Sequence, residues 1–185
     1  MIAATGWASG LNVYGTALLL GLAGRLDWAD TPEQLQHPWV LAGLGVLYAV
    51  EFVVDKVPWL DSAWDVVHTA VRPIGGALLA AAFAQDAGSS EALAALLGGG
   101  FSLSAHSAKA STRAAINTSP EPFSNVLASL LEDGIVAAMV TLALVSPLVA
   151  GITAALLAVA SVAVTYMLVK AVQALRARWR SRRDR

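Results

Sequence analysis

The 185-residue chain has no cysteine, which removes disulfides, thiolate metal sites and thiol redox chemistry from consideration. It is also poor in charge, with Asp, Glu, Lys and Arg making up 14% of residues against about 25% in soluble domains. Met1 to Gly24 has no basic n-region and no A-x-A-type cleavage site, so the first apolar block is expected to stay in place as a helix. No H-E-x-x-H, serine-nucleophile or phosphatase signature occurs, which weighs against a hydrolytic enzyme. Nothing has the pattern of a nucleic-acid module, and no cofactor-binding motif is found.

What fills the chain instead is apolar. Hydrophobic residues make up 57%, the mean hydropathy is +0.63, and the apolar residues fall in blocks of about 17–25, the length of a spanning helix. The reading is an all-α integral membrane protein with about six transmembrane helices. They run over Ile2–Leu26, Pro38–Val57, Asp61–Gln85, Glu91–Ile116, Phe123–Val145 and Pro147–Ala177. Each break holds a proline or a polar cluster, "DTPEQLQHP", "KVPWLD", "DAGSSE", "NTSPEP" or "SP", and proline ends one helix and suits the first turn of the next. The Ser146-Pro147 junction is tight enough for one long kinked helix as well as for two spans. Residues 1–177 form one transmembrane domain, and 178–185 form a basic tail.

The arginine-rich end, "RARWRSRRDR", is expected on the cytoplasmic side by the positive-inside rule. Six spans then place both termini in the cytoplasm, in a bacterial inner membrane. The connections assigned outside, 25–37 and 86–91, carry five acids and one arginine. An internal repeat also shows. "GLNVYGTALL…DTPEQLQHPWVLA" and "GGFSLSAHSA…NTSPEPFSNVLA" share their order of elements. Units 1–86 and 91–175, each of three spans, would be inverted relative to one another, with broken or polar half-helices.

The chemistry lies in a set of polar residues at helix depth. Asp61, Asp65, His68 and Arg72 are spaced i, i+4, i+7 and i+11, one stripe on a helix, and His106, Lys109 and Arg113 make a second. Arg72, His106 and Glu132 each lie about 15 Å from the cytoplasmic ends of their helices, near mid-membrane. An ionised side chain there costs about 2.5–3.5 kcal/mol unless it meets a partner or water. The expectation is a charged vestibule open to the cytoplasm. It would be closed on the outer side by the small residues Gly75-Gly76-Ala77 and Gly98-Gly99-Gly100, which let helices approach closely.

Asn12, Tyr14, Arg72, Lys109, Arg113, Asn117 and Asn125 are the candidates for substrate binding. Glu51, Asp55, Asp61, Asp65, His68, His106, Glu132 and Asp133 are the candidates for proton coupling or a charge network. Plainer roles compete: Asp61 as a helix N-cap, Ser124 or Thr118 as the cap of the fifth helix, and Asp65 with Arg72 or Lys56 as structural glue. Trp7, Trp39, Trp59 and Trp64 suit an interfacial belt. His68, His106, Asp65 and Glu132 have donor chemistry for a metal. Their spacing matches no ligand motif, so no metal is assigned.

The string "EFVVDKVPWLDSAWDVVHTAVRPIGGALLAA", preceded by "GLNVYG" and followed by "AHSAKASTRAAINTSPEPFSN…ED", resembles the domain-of-unknown-function 4126 family. Its members are small multispanning membrane proteins of bacteria, also seen in plants. The likeness runs from about Gly10 to Ala160 and implies a membrane location, with no activity to carry over.

The leading functional expectation is a small transporter or channel for a small anion or polar metabolite, with proton coupling an option. Half-helix ends at Pro58 and Pro120 would add their dipoles. The alternatives are an intramembrane enzyme acting on a lipid or polyprenyl phosphate, and an accessory membrane subunit. The expected partners are the bilayer, a small polar or anionic substrate and a second copy in a homodimer; no nucleic acid and no cofactor is expected.

Overall fold

The computed structural model describes residues 1–117 and 123–183. The Thr118 cap, the Pro120 break and the charged side chains of the 178–185 tail lie outside what is described. Eight helices are found among the described residues: α1 (Ile2–Leu11), α2 (Val13–Arg25), α3 (Glu33–Gln36), α4 (Pro38–Val54), α5 (Pro58–Asp86), α6 (Glu91–Ile116), α7 (Phe123–Val145) and α8 (Pro147–Arg183). The segments Trp59–Asp86, Phe123–Val145 and Pro147–Ala174 are long and apolar enough to cross a membrane, and α4 is a shorter apolar helix. The chain is an all-helical membrane protein.

The N-terminal block departs from expectation. A single helix over Ile2–Leu26 was expected, but Asn12 adopts an extended backbone, φ −152° and ψ 101°, and divides it. The sequence accommodates this because Asn12 caps the helix that follows: its Oδ1 accepts from the Gly15 backbone N–H at 2.7 Å. An Asn in this role satisfies one of the donors that a helix start leaves open. α1 and α2 have 10 and 13 residues, roughly 15 and 20 Å at 1.5 Å per residue. Neither reaches across a bilayer core alone.

Contacts show that the two halves form a hairpin. Ile2 packs against Ala80, Ala84 and Ala94, Gly6 lies against Gly98, and Gly10 lies against Ser102 and Ala105. α1 therefore runs parallel to α6 from the 86–91 connection inward. α2 runs back out, with Gly15 beside Tyr48, Gly21 beside Leu35 and Leu41, and Gly24 beside Thr31 and Gln36. Met1 and Gly24 even line one cavity, together with Asp27, Asp30, Phe83 and Asp86. The hairpin enters and leaves by one end of the bundle, here termed the hairpin face, and its tip is Asn12.

Two expectations are corrected by this geometry. The hairpin makes no net crossing, so five helices (α4 to α8) carry the chain to the other end, the tail face. Met1 and the end of α8 thus lie at opposite ends of the bundle, not on one side. And because α1 runs parallel to α6, units 1–86 and 91–175 are not related by a simple three-span inversion.

The seam between α1, α5 and α6 is closed by small residues, as Gly76 and Gly98 led one to expect. A Cβ on Gly6 would stand 2.7 Å from the carbonyl oxygen of Gly98, and one on Gly76 would stand 2.6 Å from Ser9 Oγ. No larger residue fits without backbone movement. The apolar core of Ala4, Trp7, Ala8, Leu20, Val136, Met139 and Ala143 surrounds the hairpin. Trp7 is inside it, 5% exposed, donating to Ser161 Oγ at 3.3 Å. Its expected place in an interfacial belt is taken by an apolar contact and a hydrogen bond in the bundle. Trp39 and Trp59 are exposed, and Trp64 stacks on His68 with ring centroids 4.6 Å apart.

Candidate functional site

The tip of the hairpin rests on a lattice of charged side chains from α4, α5, α6 and α7. Arg72, Lys109 and Arg113 are all buried, with exposures of 0%, 3% and 1%. Three cations buried without partners would be strongly disfavoured, so their partners decide whether the bundle can form. Arg72 on α5 donates from Nη2 to Glu51 Oε1 at 2.7 Å and from Nη1 to Asp65 Oδ1 at 3.0 Å. The helical stripe accounts for the second contact, since Asp65 is two turns before Arg72 on one face. Lys109 on α6 reaches Asp55 Oδ2 at 2.5 Å and Glu132 Oε2 at 3.3 Å. Arg113 grips Glu132 through both oxygens, Nε to Oε1 at 3.1 Å and Nη2 to Oε2 at 2.6 Å. That fork-to-fork geometry is the strongest pairing a guanidinium makes.

Neutral groups tie the lattice to the backbone. Arg113 Nη1 donates to Asn125 Oδ1 at 2.7 Å and to the Asp55 carbonyl at 3.2 Å, and Asn125 Nδ2 donates to the same carbonyl at 2.9 Å. Asn125 thereby joins the α4–α5 turn to α7. At the tail face Asn117 Nδ2 donates to Asp61 Oδ2 at 3.0 Å. Asp61 itself is not the N-cap of α5, which is Val57; it lies in the first turn with its carboxylate turned inward, 0% exposed. Ser124 lies within α7 with its hydroxyl buried and without a hydrogen-bond partner. Lys56, in the turn between α4 and α5, donates to Ser129 Oγ at 3.3 Å. Burial pushes its ammonium below the ordinary value, while Asp133 and Asp55 pull it back up.

Three contacts seat the hairpin tip. Lys109 Nζ donates to the Leu11 carbonyl at 3.1 Å, at the partially negative end of α1. Asn12 Nδ2 donates to Asp133 Oδ1 at 3.2 Å, and the Tyr14 hydroxyl lies 3.2 Å from His68 Nε2. Each contact goes to a different helix: α6, α7 and α5.

The histidines are fixed by their partners. Arg72 Nη1 lies 2.9 Å from His106 Nδ1, and a guanidinium only donates, so Nδ1 accepts and the ring proton is on Nε2. That nitrogen faces Thr69 Oγ1 at 3.1 Å, while the Thr69 hydroxyl donates to the Asp65 carbonyl at 2.9 Å. His68 Nδ1 lies 2.9 Å from the Trp64 carbonyl and donates to it, leaving Nε2 to accept from Tyr14. Both rings are satisfied as neutral imidazoles.

Every candidate for substrate binding, proton coupling or the charge network is therefore in or beside one network; Tyr14 and His68 form its edge, with Trp64. Sequence reasoning passed over Thr69 as a member of the network, as it did the Leu11 carbonyl; Ser129, read from the sequence as part of the polar start of the fifth helix, accepts from Lys56. Thr69 stands i+4 from Asp65 and so shares the α5 stripe, a signal that was available. The Leu11 carbonyl gave none, because nothing marks the break at Asn12 except the Asn itself.

Among the described residues, Arg72, Lys109 and Arg113, expected to line an open vestibule, are paired with carboxylates in this lattice. A cavity of about 850 Å³ opens instead on the hairpin face, beside Asp27, Asp30, Glu33 and Asp86. Among the described residues no three His, Asp or Glu side chains are gathered as a metal requires, so His68, His106, Asp65 and Glu132 do not form a ligand set.

The chain belongs to the family described as "Domain of unknown function (DUF4126)", whose family model matches residues 1–167. It is also similar to NADH-quinone oxidoreductase subunit N 1 of Herpetosiphon aurantiacus, 35% identical over 80 residues. That match takes in 37% of this chain and spans only 16% of that protein. No solved structure matches.

Proposed function

We propose that this member of the family is a small transport protein whose hairpin is the gate and whose charge lattice is the path for a small charged or polar solute. The observation that carries the reading is the hairpin tip seated on buried charge. Non-helical backbone at membrane depth is tolerated where it lines a polar path or is buried in protein, and transporters place interrupted helices at their ion sites. Here the break at Asn12 meets Lys109, Asp133 and His68 through Leu11, Asn12 and Tyr14. In this reading α4 to α8 are five spans and the hairpin dips into the membrane from the hairpin face. With the arginine-rich end in the cytoplasm of a bacterial cell, the 850 Å³ cavity and Met1 face outward. The similarity to a subunit of a membrane-bound oxidoreductase agrees with a membrane role and adds nothing on cargo. Two copies would enclose the path more fully than one, so a homodimer is the assembly to look for.

Motion of the hairpin would connect the outer cavity to the lattice, and its three tip contacts are what must break. The test is reconstitution into liposomes, with osmotic swelling and ion flux followed across a panel of small polar solutes and ions. The expected result is permeation above protein-free liposomes that falls about tenfold in Arg113→Gln or Glu132→Gln, as expected for a functional intramembrane charge. Permeation equal to protein-free liposomes for the whole panel, or unaffected by both variants, overturns the reading. The lipid-phosphate enzyme finds less support, since Arg113 is already held by Glu132 and Asn125.

A further inference from the structure

We infer that the ion taken up and passed by the core is the proton, carried on Asp133 at the hairpin tip and Asp61 at the tail face. The inference rests on the transport reading and names its substrate. It starts from an inventory of charge among the described residues. Six carboxylates, the buried Glu51, Asp55, Asp61 and Asp65 and the half-buried Glu132 and Asp133, stand with four basic side chains, the buried Arg72, Lys109 and Arg113 and the half-buried Lys56. Two negative charges are left over if all ionise. His106 does not offset them, because a second proton on Nδ1 would face the Arg72 N–H at 2.9 Å. His68 already has both ring nitrogens placed as a neutral group. Uncompensated buried charge is disfavoured, so the balance is met by uptake of positive charge.

Geometry says where. Glu51, Asp65, Asp55 and Glu132 lie 2.7, 3.0, 2.5 and 2.6 Å from a cationic nitrogen. Asp61 comes no nearer than 4.0 Å to Arg113 Nε. Asp133 makes its hydrogen bond to a neutral amide, Asn12 Nδ2 at 3.2 Å. Asp61 is likewise held by an amide, Asn117 Nδ2 at 3.0 Å. In each case one carboxyl oxygen accepts from the amide, and the other is buried without a hydrogen-bond partner, Oδ1 of Asp61 and Oδ2 of Asp133. A neutral carboxylic acid suits such a pair, its carbonyl oxygen taking the amide N–H and its second oxygen holding the proton. A metal cation does not, because it asks for several oxygens at once. An anionic cargo fits no better, since Arg72, Lys109 and Arg113 are each on carboxylates already.

Asp133 also borders a largely apolar cavity of about 140 Å³ lined by Gly15, Leu19, Tyr48 and Val136. The step is proton transfer alone: movement of the hairpin tip exposes Asp133 Oδ2 to water, its O–H bond breaks, the water takes the proton, and a carboxylate remains. The charged groups acting on that carboxylate are Lys56, Asp55 and Lys109, from the α4–α5 turn and α6. The hairpin contributes Asn12 and α4 contributes Tyr48.

The experiment uses the full chain in liposomes holding an internal pH dye, with an imposed pH gradient and the membrane potential clamped by potassium and valinomycin. Proton entry above protein-free liposomes is expected, falling about tenfold or more in Asp133→Asn and in Asp61→Asn. Infrared difference spectra across a pH titration should show carbonyl stretches of protonated carboxyls, one lost in each variant. The infrared reading uses folded protein only, so a variant that misfolds leaves the wild-type spectrum to decide. Absence of any protonated-carboxyl band in the wild-type chain overturns the inference. Proton entry equal to protein-free liposomes also overturns it, and permeation of sodium or a neutral solute in those same liposomes would leave the transport reading standing. If nothing permeates, both fail.

Discussion

Arg72 is fully buried, and its two ion pairs decide much of the stability of α5 in the bundle. Glu51 approaches it from α4 at 2.7 Å and Asp65 from its own helix at 3.0 Å. Removing the cation strands two carboxylates in a medium that cannot solvate them. Arg72→Met should therefore lower stability by about 3–5 kcal/mol, the usual effect of breaking a buried pair from one side. The Arg72→Met/Glu51→Met double variant should recover part of that loss, because replacing a buried pair by apolar groups is close to neutral. Thermal unfolding of detergent-purified protein checks both. A single variant as stable as wild type would mean that the carboxylates are already neutral, and that the lattice is not held by charge. Arg113 and Lys109 share Glu132 and Asp55 between them, so their losses should be smaller individually and non-additive together.

At the level of elements, the α1–α5–α6 seam is set by glycine. Gly6→Val would drive a Cβ to 2.7 Å from the Gly98 carbonyl oxygen and 2.8 Å from its Cα, atoms that belong to a helix backbone and cannot rotate away. Overpacking of this kind costs about 1–3 kcal/mol or more. Gly43→Ala on α4 and Gly134→Ala on α7 meet nothing within 4 Å and should be neutral, or stabilising by roughly 0.5–1 kcal/mol. Melting temperatures of the three variants distinguish a seam that is tight from one that is merely adjacent. Most element ends were legible in the sequence, because proline and polar clusters at Pro38, Pro58, Glu91 and Pro147 punctuate it. The membership of the lattice was legible too, since Asp65–Arg72 and His106–Arg113 are helical stripes. The hairpin was not. "GLNVYG" is apolar on both sides of Asn12 and carries no proline, and a residue with favourable cap chemistry looks the same inside a long helix as at a break. What exposes Asn12 as a break is tertiary: Lys109 for the free Leu11 carbonyl, Asp133 for its amide, and glycines that let α1 lie against α6. From that one miss followed the expectation that Met1 shares an end of the bundle with the end of α8.

For the whole molecule, the hairpin ties function to topology. It leaves a cavity on one face, a packed lattice toward the other, and a tip between them, which the proposed transport would require to move. The cavity on the hairpin face carries Asp27, Asp30, Glu33 and Asp86, whereas α8 ends at the tail face. That polarity is what a one-sided gate requires. Because the chain has no cysteine, sidedness can be read without removing any residue. The direct test is labelling of single cysteines in intact cells by a membrane-impermeant maleimide, at a position inserted after Met1, at Asp30→Cys, at Ser89→Cys and appended to the C-terminus. A re-entrant hairpin predicts that the first three label from one side of the membrane and the last only when the other side is opened. Labelling of the position after Met1 from the side opposite Asp30→Cys would show that the first helix crosses the membrane, and would contradict the hairpin on which the account rests.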